Sequence, residues 1–237
     1  MKKLTFALIG FAFLAGRAAL AGDAPRGNLL ELHSCELFAG SCVVNSEAAI
    51  GGRYMLRAWN FTGGGFAGAD FTGLRVALLE TSSENLAAEK TSADRTLIYL
   101  PKDATRVQRE ALVAWLKSAL PELKSAQVRT RVVPLQVSGD GAGYTLSAGE
   151  FLSVRTAGLE SCETACGASL WYEPRTPTTV FTVALDLSSR VAEPLLKLKW
   201  NDAGKRSVFL GKFGEASATK SEFVTASDWC GPADKVF

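Results

Sequence analysis

Short runs in which apolar and polar residues alternate, separated by glycine-rich turns, fill most of this chain, and a period of two is one that a helix cannot satisfy. From Gly51 to Phe61, Tyr54, Leu56 and Ala58 alternate with Met55, Arg57 and Trp59. Comparable runs cover Leu74 to Glu80, Thr96 to Leu100, Val128 to Val137, Tyr144 to Leu146, Phe151 to Arg155, Ser169 to Tyr172, Val180 to Leu187, Leu195 to Trp200 and Ser207 to Phe213. In Val180 to Leu187, Phe181, Val183, Leu185 and Leu187 share one face, and Thr182, Ala184 and Asp186 the other. That pattern predicts a sheet with one buried face, and it reads Asp186 as a solubilising surface charge.

One segment departs from the period of two. Between Ala104 and Ala119, Val107, Ala111, Leu112, Trp115 and Ala119 fall at helical spacing, with Arg106, Arg109, Glu110 and Lys117 on the other side. Asp103 can cap this helix, and Pro121 stops it by removing a donor. Strands without regular intervening helices pair antiparallel. The expected fold is therefore α+β, mainly antiparallel β as a curved sheet or sandwich, with one long amphipathic helix packed on it.

Lys2 and Lys3 precede an apolar run from Leu4 to Ala15, and Ala19-Leu20-Ala21 forms a small-x-small cleavage box. These features predict a secretory signal over residues 1–21 and an exported chain, periplasmic or extracellular. The run is interrupted by Gly10, Gly16 and Arg17 and is shorter than the roughly 20 apolar residues that span a bilayer. No later stretch approaches that length, so no membrane span is expected after cleavage. Without Lys2, Lys3 and Arg17 the 26 basic residues fall to 23 against 24 acidic ones. The basic excess is lost, and no basic cluster with interleaved aromatics remains to bind nucleic acid. Residues 22–237 suffice for one domain with a full core.

Export would place Cys35, Cys42, Cys162, Cys166 and Cys230 in an oxidising compartment. Five is odd, so at least one sulfur is a thiol, a metal ligand or bonded to another molecule. In one reading Cys35 with Cys42, and Cys162 with Cys166, close local disulfides, Cys230 is left over or ties down the tail, and the protein is a non-catalytic structural or partner-binding one. Loops this short constrain the unfolded chain little, and a domain of this size hardly needs them. In the other reading His33, the one histidine, joins Cys35, Cys42, Cys162 and Cys166 as ligands of copper or zinc. Thiolate and imidazole are the soft donors such ions select, and an extended backbone points His33 and Cys35 to the same face. The C-x3-C pair with a remote histidine is similar to the ligand set of copper-delivery proteins of the Sco type, a likeness of ligands and not of fold. Thiol–disulfide exchange is a third use of these sulfurs.

Other chemistry lacks its parts. Gly63 to Gly68 matches G-x-G-x-x-G, but a strand, not a helix, follows Gly73, so the segment reads as a hairpin loop. No G-x-S-x-G elbow accompanies the one histidine, which points away from a classical serine hydrolase, and the preferred role is non-enzymatic. Trp59, Trp171 and Trp200 with Tyr54 and Tyr172 could line a carbohydrate-binding face, although aromatics in strands more often pack in cores.

Several segments together carry a resemblance: His33-Ser34-Cys35-Glu36-Leu37-Phe38-Ala39-Gly40-Ser41-Cys42, Arg57-Ala58-Trp59-Asn60, Gly73-Leu74-Arg75-Val76-Ala77, and the Ala104 to Leu112 stretch with Gln108-Arg109. The chain from about Leu32 to Gly214 resembles an uncharacterised bacterial family with an N-terminal cysteine cluster. Members carry a denser cluster there than Cys35 and Cys42. The resemblance implies a single fold unit and draws attention to those two cysteines, and it brings no activity, substrate or catalytic residue. The expected function is a soft-metal or thiol-redox accessory role for an exported protein, with no protein partner specified.

Overall fold

In the computed structural model, which describes residues 23–39, 51–87, 91–124, 126–140, 143–159, 169–170, 173–214 and 222–223, most of the chain is strand. The order is β1 (Arg26–His33), β2 (Phe38–Ala39), β3 (Tyr54–Gly63), β4 (Gly65–Phe66), β5 (Ala69–Asp70), β6 (Arg75–Thr81) and β7 (Arg95–Pro101). A helix α1 (Arg106–Ala119) and a 3-10 turn (Pro121–Lys124) come next. Then follow β8 (Gln127–Val133), β9 (Leu135–Asp140), β10 (Gly143–Ala148), β11 (Leu152–Gly158), β12 (Ser169–Leu170), β13 (Val180–Glu193), β14 (Leu198–Asp202), β15 (Lys205–Phe213) and β16 (Glu222–Phe223). The predicted signal segment and Cys42, Cys162, Cys166 and Cys230 lie outside the described residues.

The main sheet runs β8-β7-β6-β3-β1-β15-β13-β11-β10-β9, with β14 and β16 on β13. Neighbours along that path are antiparallel except β7 and β8, which are parallel. A parallel pair needs a long crossover, and α1 supplies it. The sheet curls until β9, at one end, lies against β3, β6 and β7. Leu30, Leu32, Leu56, Ala58, Leu79, Leu97 and Tyr99 then meet Leu135, Val137, Leu146, Val154 and Leu210 in one enclosed core.

This geometry overturns the expected α+β fold with a helix laid over a one-faced sheet. Strands make up 56% of the chain, and the sheet forms a large, nearly closed barrel whose main core lies within its own curvature. The physical reason is that β1, β3, β6 and β7 bury both faces. Leu29, Trp59, Phe61, Val76, Leu78 and Ile98 point outward into a second core with Ala111, Leu112, Trp115 and Leu116 of α1. The run Val76 to Leu79 is apolar throughout because neither side meets water. The helix covers only that patch of the outer wall.

Local details correct the sequence reading in three places. The Val128 to Val137 run is two strands, because Pro134 has no N–H to give a ladder and breaks it between β8 and β9. A bulge in β13 between Ala184 and Asp186 shifts the register against β15, and a one-residue shift exchanges the faces. Asp186 is therefore fully buried while Leu187 is 41% exposed, the reverse of the expectation. The helix is capped by Thr105, whose hydroxyl accepts from the Gln108 N–H in a capping box, while Asp103 instead pairs with Arg75. The glycine-rich loop is the expected hairpin: Ala67 and Gly68 take φ 51° and 81° between β4 and β5, as a two-residue turn of the I′ kind requires.

Candidate functional site

The outer wall of β1, β3 and β6 carries charged side chains that a sheet facing only apolar partners would not hold. Glu31 and His33 are two residues apart on β1 and so share the outer face, and Arg57 stands opposite Glu31 on β3. Glu31, His33, Arg57 and Glu80 are all buried, at 1% exposure or less. Such burial persists only where every charge finds partners.

Arg57 supplies most of them. Its Nε donates to Glu80 Oε2 at 2.9 Å and its Nη1 to Glu122 Oε1 at 3.1 Å, in the turn after α1. The same Nη1 reaches Thr176 Oγ1 at 3.5 Å. Glu31 accepts the backbone N–H groups of Arg175 and Thr176 at 2.8 and 2.9 Å, while Arg175 Nη1 donates to the Leu86 carbonyl at 2.6 Å. The segment around Thr176 is thus pinned over β1 and β3 by the charges beneath it. Burial alone would push the Glu31 carboxyl up, but the His33 hydrogen bond, the His33 and Arg57 charges and the Arg175 N–H outweigh it, holding Glu31 at about 2. Burial lifts the Glu80 carboxyl above the usual range despite Arg57.

The imidazole is the chemically open part of this network. His33 Nε2 lies 2.8 Å from Glu31 Oε1, whereas Nδ1 is buried with no hydrogen-bond partner among the described residues. An ionised Glu31 can only accept, so Nε2 keeps its proton, and Nδ1 is the nitrogen that offers a lone pair once the ring gives up its second proton. The ring meets Phe209 of β15 edge-on, with centroids 6.0 Å apart. Cys35 is fully buried in the same quarter, packed among Leu37, Ala87, Phe181, Val183 and Phe209. Strand β1 ends at His33 and the chain bends at Ser34 and Cys35. The two residues adjoin through Phe209 rather than by strand alternation.

The ladder of β2 and β12 sets Phe38 opposite Leu170 and Ala39 opposite Ser169. It joins the stretch after Cys35 to one about 130 residues later in the chain, just past Cys166. Among the described residues no group of three or more His, Cys, Asp and Glu side chains is placed to hold a metal ion. Of the predicted ligands, His33 and Cys35 are the two within the described residues.

Two other readings of the sequence fare differently. Trp59 is buried beneath α1 and Trp200 in the barrel core beside Tyr54, with the Tyr54 and Trp200 ring centroids 6.0 Å apart, so these three line no common carbohydrate face, while Trp171 and Tyr172 lie outside the described residues. A cavity of about 810 Å³ between the β4–β5 hairpin and α1 is lined by Asp23, Phe66, Asp70 and Trp115, with no histidine, cysteine or basic residue. No helix among the described residues is long and apolar enough to cross a membrane. The network of Glu31, Arg57, Glu80, Glu122 and Thr176 escaped the sequence reading, although its signal was there: charged residues interrupting apolar strands, of opposite sign on adjacent ones.

Fold and site together define a β-rich, barrel-like protein with a charged network sealed into its outer wall and an oriented histidine beside a buried cysteine. Comparison with protein-family models, curated proteins and solved structures finds no match.

Proposed function

We propose that this chain is an exported accessory protein that binds a soft metal ion, copper or zinc, through His33 and Cys35 together with sulfurs from Cys42, Cys162 and Cys166, which also lend it thiol-redox character. The observation that carries the reading is the buried Nδ1, without a partner among the described residues, of an imidazole whose other nitrogen is held by an ionised carboxylate. Metal-bound histidines are oriented in this way, with the second nitrogen donating to a carboxylate that fixes the tautomer and raises ligand basicity. Two backbone N–H groups hold that carboxylate in turn, so the orientation is built in before any ion arrives. The β2–β12 ladder adds support. In sequence, Cys42 lies three residues after Ala39 and Cys166 three residues before Ser169, the two residues that this antiparallel ladder pairs.

The test is metal uptake by the full chain, reduced and kept from oxygen, titrated with Zn(II) and Cu(I) against a chromophoric chelator. One equivalent is expected to bind. His33→Gln keeps a donor toward Glu31 but loses the lone pair, and is expected to bind at least ten times more weakly with its thermal midpoint little changed. Mass spectrometry before and after reduction counts the thiols. Two closed disulfides with one thiol, and no ion retained by the reduced protein, would overturn the reading in favour of a structural protein.

A further inference from the structure

A second site lies at one mouth of the barrel, apart from the histidine and cysteines. Gln127, Arg129 and Arg131 follow one another at a period of two on β8, and Arg95 stands opposite Gln127 on β7. Across from them runs the turn of residues 194–197 between β13 and β14. Arg95, Gln127, Arg129, Pro194, Leu195, Leu196 and Lys197 enclose a cavity of about 190 Å³.

The charges in this cavity are unbalanced. Glu193 accepts from Arg131 at 2.8 Å, from the Tyr99 hydroxyl at 2.8 Å and from the Leu195 N–H at 2.8 Å. Its oxygens are therefore committed to Arg131 and to shaping the turn. Asp94, beside Arg95, turns its carboxylate to the Ser83 N–H at 2.9 Å. Arg95, Arg129 and Lys197 make no ion pair among the described residues. Arg129 has only the Leu195 carbonyl, at 3.4 Å. Lys197 holds φ at 52°, a left-handed conformation that costs a residue with a side chain and that glycine would adopt freely. The turn thus keeps a strained lysine where it adds a third cation to the cavity.

We propose that this cradle binds a compact, doubly charged oxyanion of the phosphate type. Two guanidinium forks and an ammonium match the oxygens of such an anion, and the Gln127 amide adds a neutral donor. The volume falls below the roughly 300 Å³ at which pockets for larger organic ligands begin, so it suits a free ion or one phosphoryl head group.

Calorimetric titration of the full chain with inorganic phosphate and, separately, with methyl phosphate tests this at constant ionic strength, so that unspecific attraction is screened equally throughout. One saturable site is expected. Stronger binding of inorganic phosphate assigns the site to the free ion, and stronger binding of methyl phosphate to a phosphorylated molecule. Lys197→Gly and Arg129→Gln are each expected to weaken binding at least tenfold, while Lys199→Gln, outside the cavity, leaves it unchanged. Lys197→Gly relieves the backbone, so its thermal midpoint should not fall, which separates lost affinity from lost fold. Absence of a saturable site, or equal affinity in Lys197→Gly and the parent, would overturn the proposal.

Discussion

Two buried carboxyls show how the same burial acts in opposite directions according to partners. Glu31, ringed by donors, is held at about 2, so the stability it contributes is complete above its ordinary value of 4.5 and is lost as pH falls toward 2. Asp186 is pushed up to about 6, first by burial and further by Asp202, against the help of the Ser189 hydroxyl at 2.7 Å. Its Oδ1 has no hydrogen-bond partner among the described residues. The folded state thus binds the Asp186 proton more tightly than the unfolded chain, whose carboxyl titrates near 3.8, and stability falls as pH rises from about 4 to 6. Above that window the ionised group costs on the order of 3 kcal/mol. Asp186→Asn removes the titration and can still accept from Ser189. It is expected to be more stable than the parent at pH 7.5, with the advantage gone at pH 4, in urea unfolding followed across pH. A constant difference between the two proteins at every pH would show that the charge is solvated. The sequence could not reveal this residue, because its burial depends on one bulge that shifts β13 by a single position.

Among the elements, the helix was legible because one side of it faces the sheet and the other faces water. The expected span of Ala104 to Ala119 differs from the observed Arg106–Ala119 only at the cap, where Thr105 and Gln108 make the reciprocal bonds that Asp103 does not. Strands with one wet face were legible for the same reason. Strand β1 was not. Its Leu29-Leu30-Glu31-Leu32-His33 stretch is buried on both sides, and the short alternation of Leu30 and Leu32 with Glu31 and His33 carries polar groups that face the network rather than solvent. The parallel step from β7 to β8 was equally hidden, since it depends on where α1 returns the chain. That return is fastened by Trp115, whose ring meets Trp59, Phe61 and Phe71 edge-on at centroid separations of 5.8, 5.1 and 6.3 Å. Trp115→Ala would empty the middle of the outer core and is expected to cost about 3–5 kcal/mol. Chemical unfolding measures that loss, and a change under 1 kcal/mol would mean that α1 docks by other contacts.

At the scale of the molecule, the barrel core could be met by many sheets of similar apolar content, whereas the charged network couples particular parts of the outer wall. Arg57 binds β3 to β6 through Glu80, to the turn after α1 through Glu122, and to the Thr176 segment, with Glu31 of β1 opposite. Arg57 and these partners come from five separate stretches of sequence, which is why the site could be read only for its histidine and cysteine. A buried ion pair is a weak source of net stability, but breaking one side of it is costly, because the remaining charge is stranded. Arg57→Met leaves Glu80 and Glu31 without their cation and is expected to cost about 3–5 kcal/mol. Glu80→Gln retains an acceptor for Arg57 and should cost less. If the network acts as a unit, the double variant will be more stable than the sum of the single losses implies, with a coupling of about 1–3 kcal/mol in a double-mutant cycle. The Arg57→Met effect should also reach His33: a Glu31 carboxyl deprived of Arg57 will take up its proton at a higher pH, shifting the acid limb of the stability profile upward. Strict additivity in the cycle would show that Arg57 and Glu80 act independently of each other, and an unmoved acid limb that the histidine is oriented without Arg57.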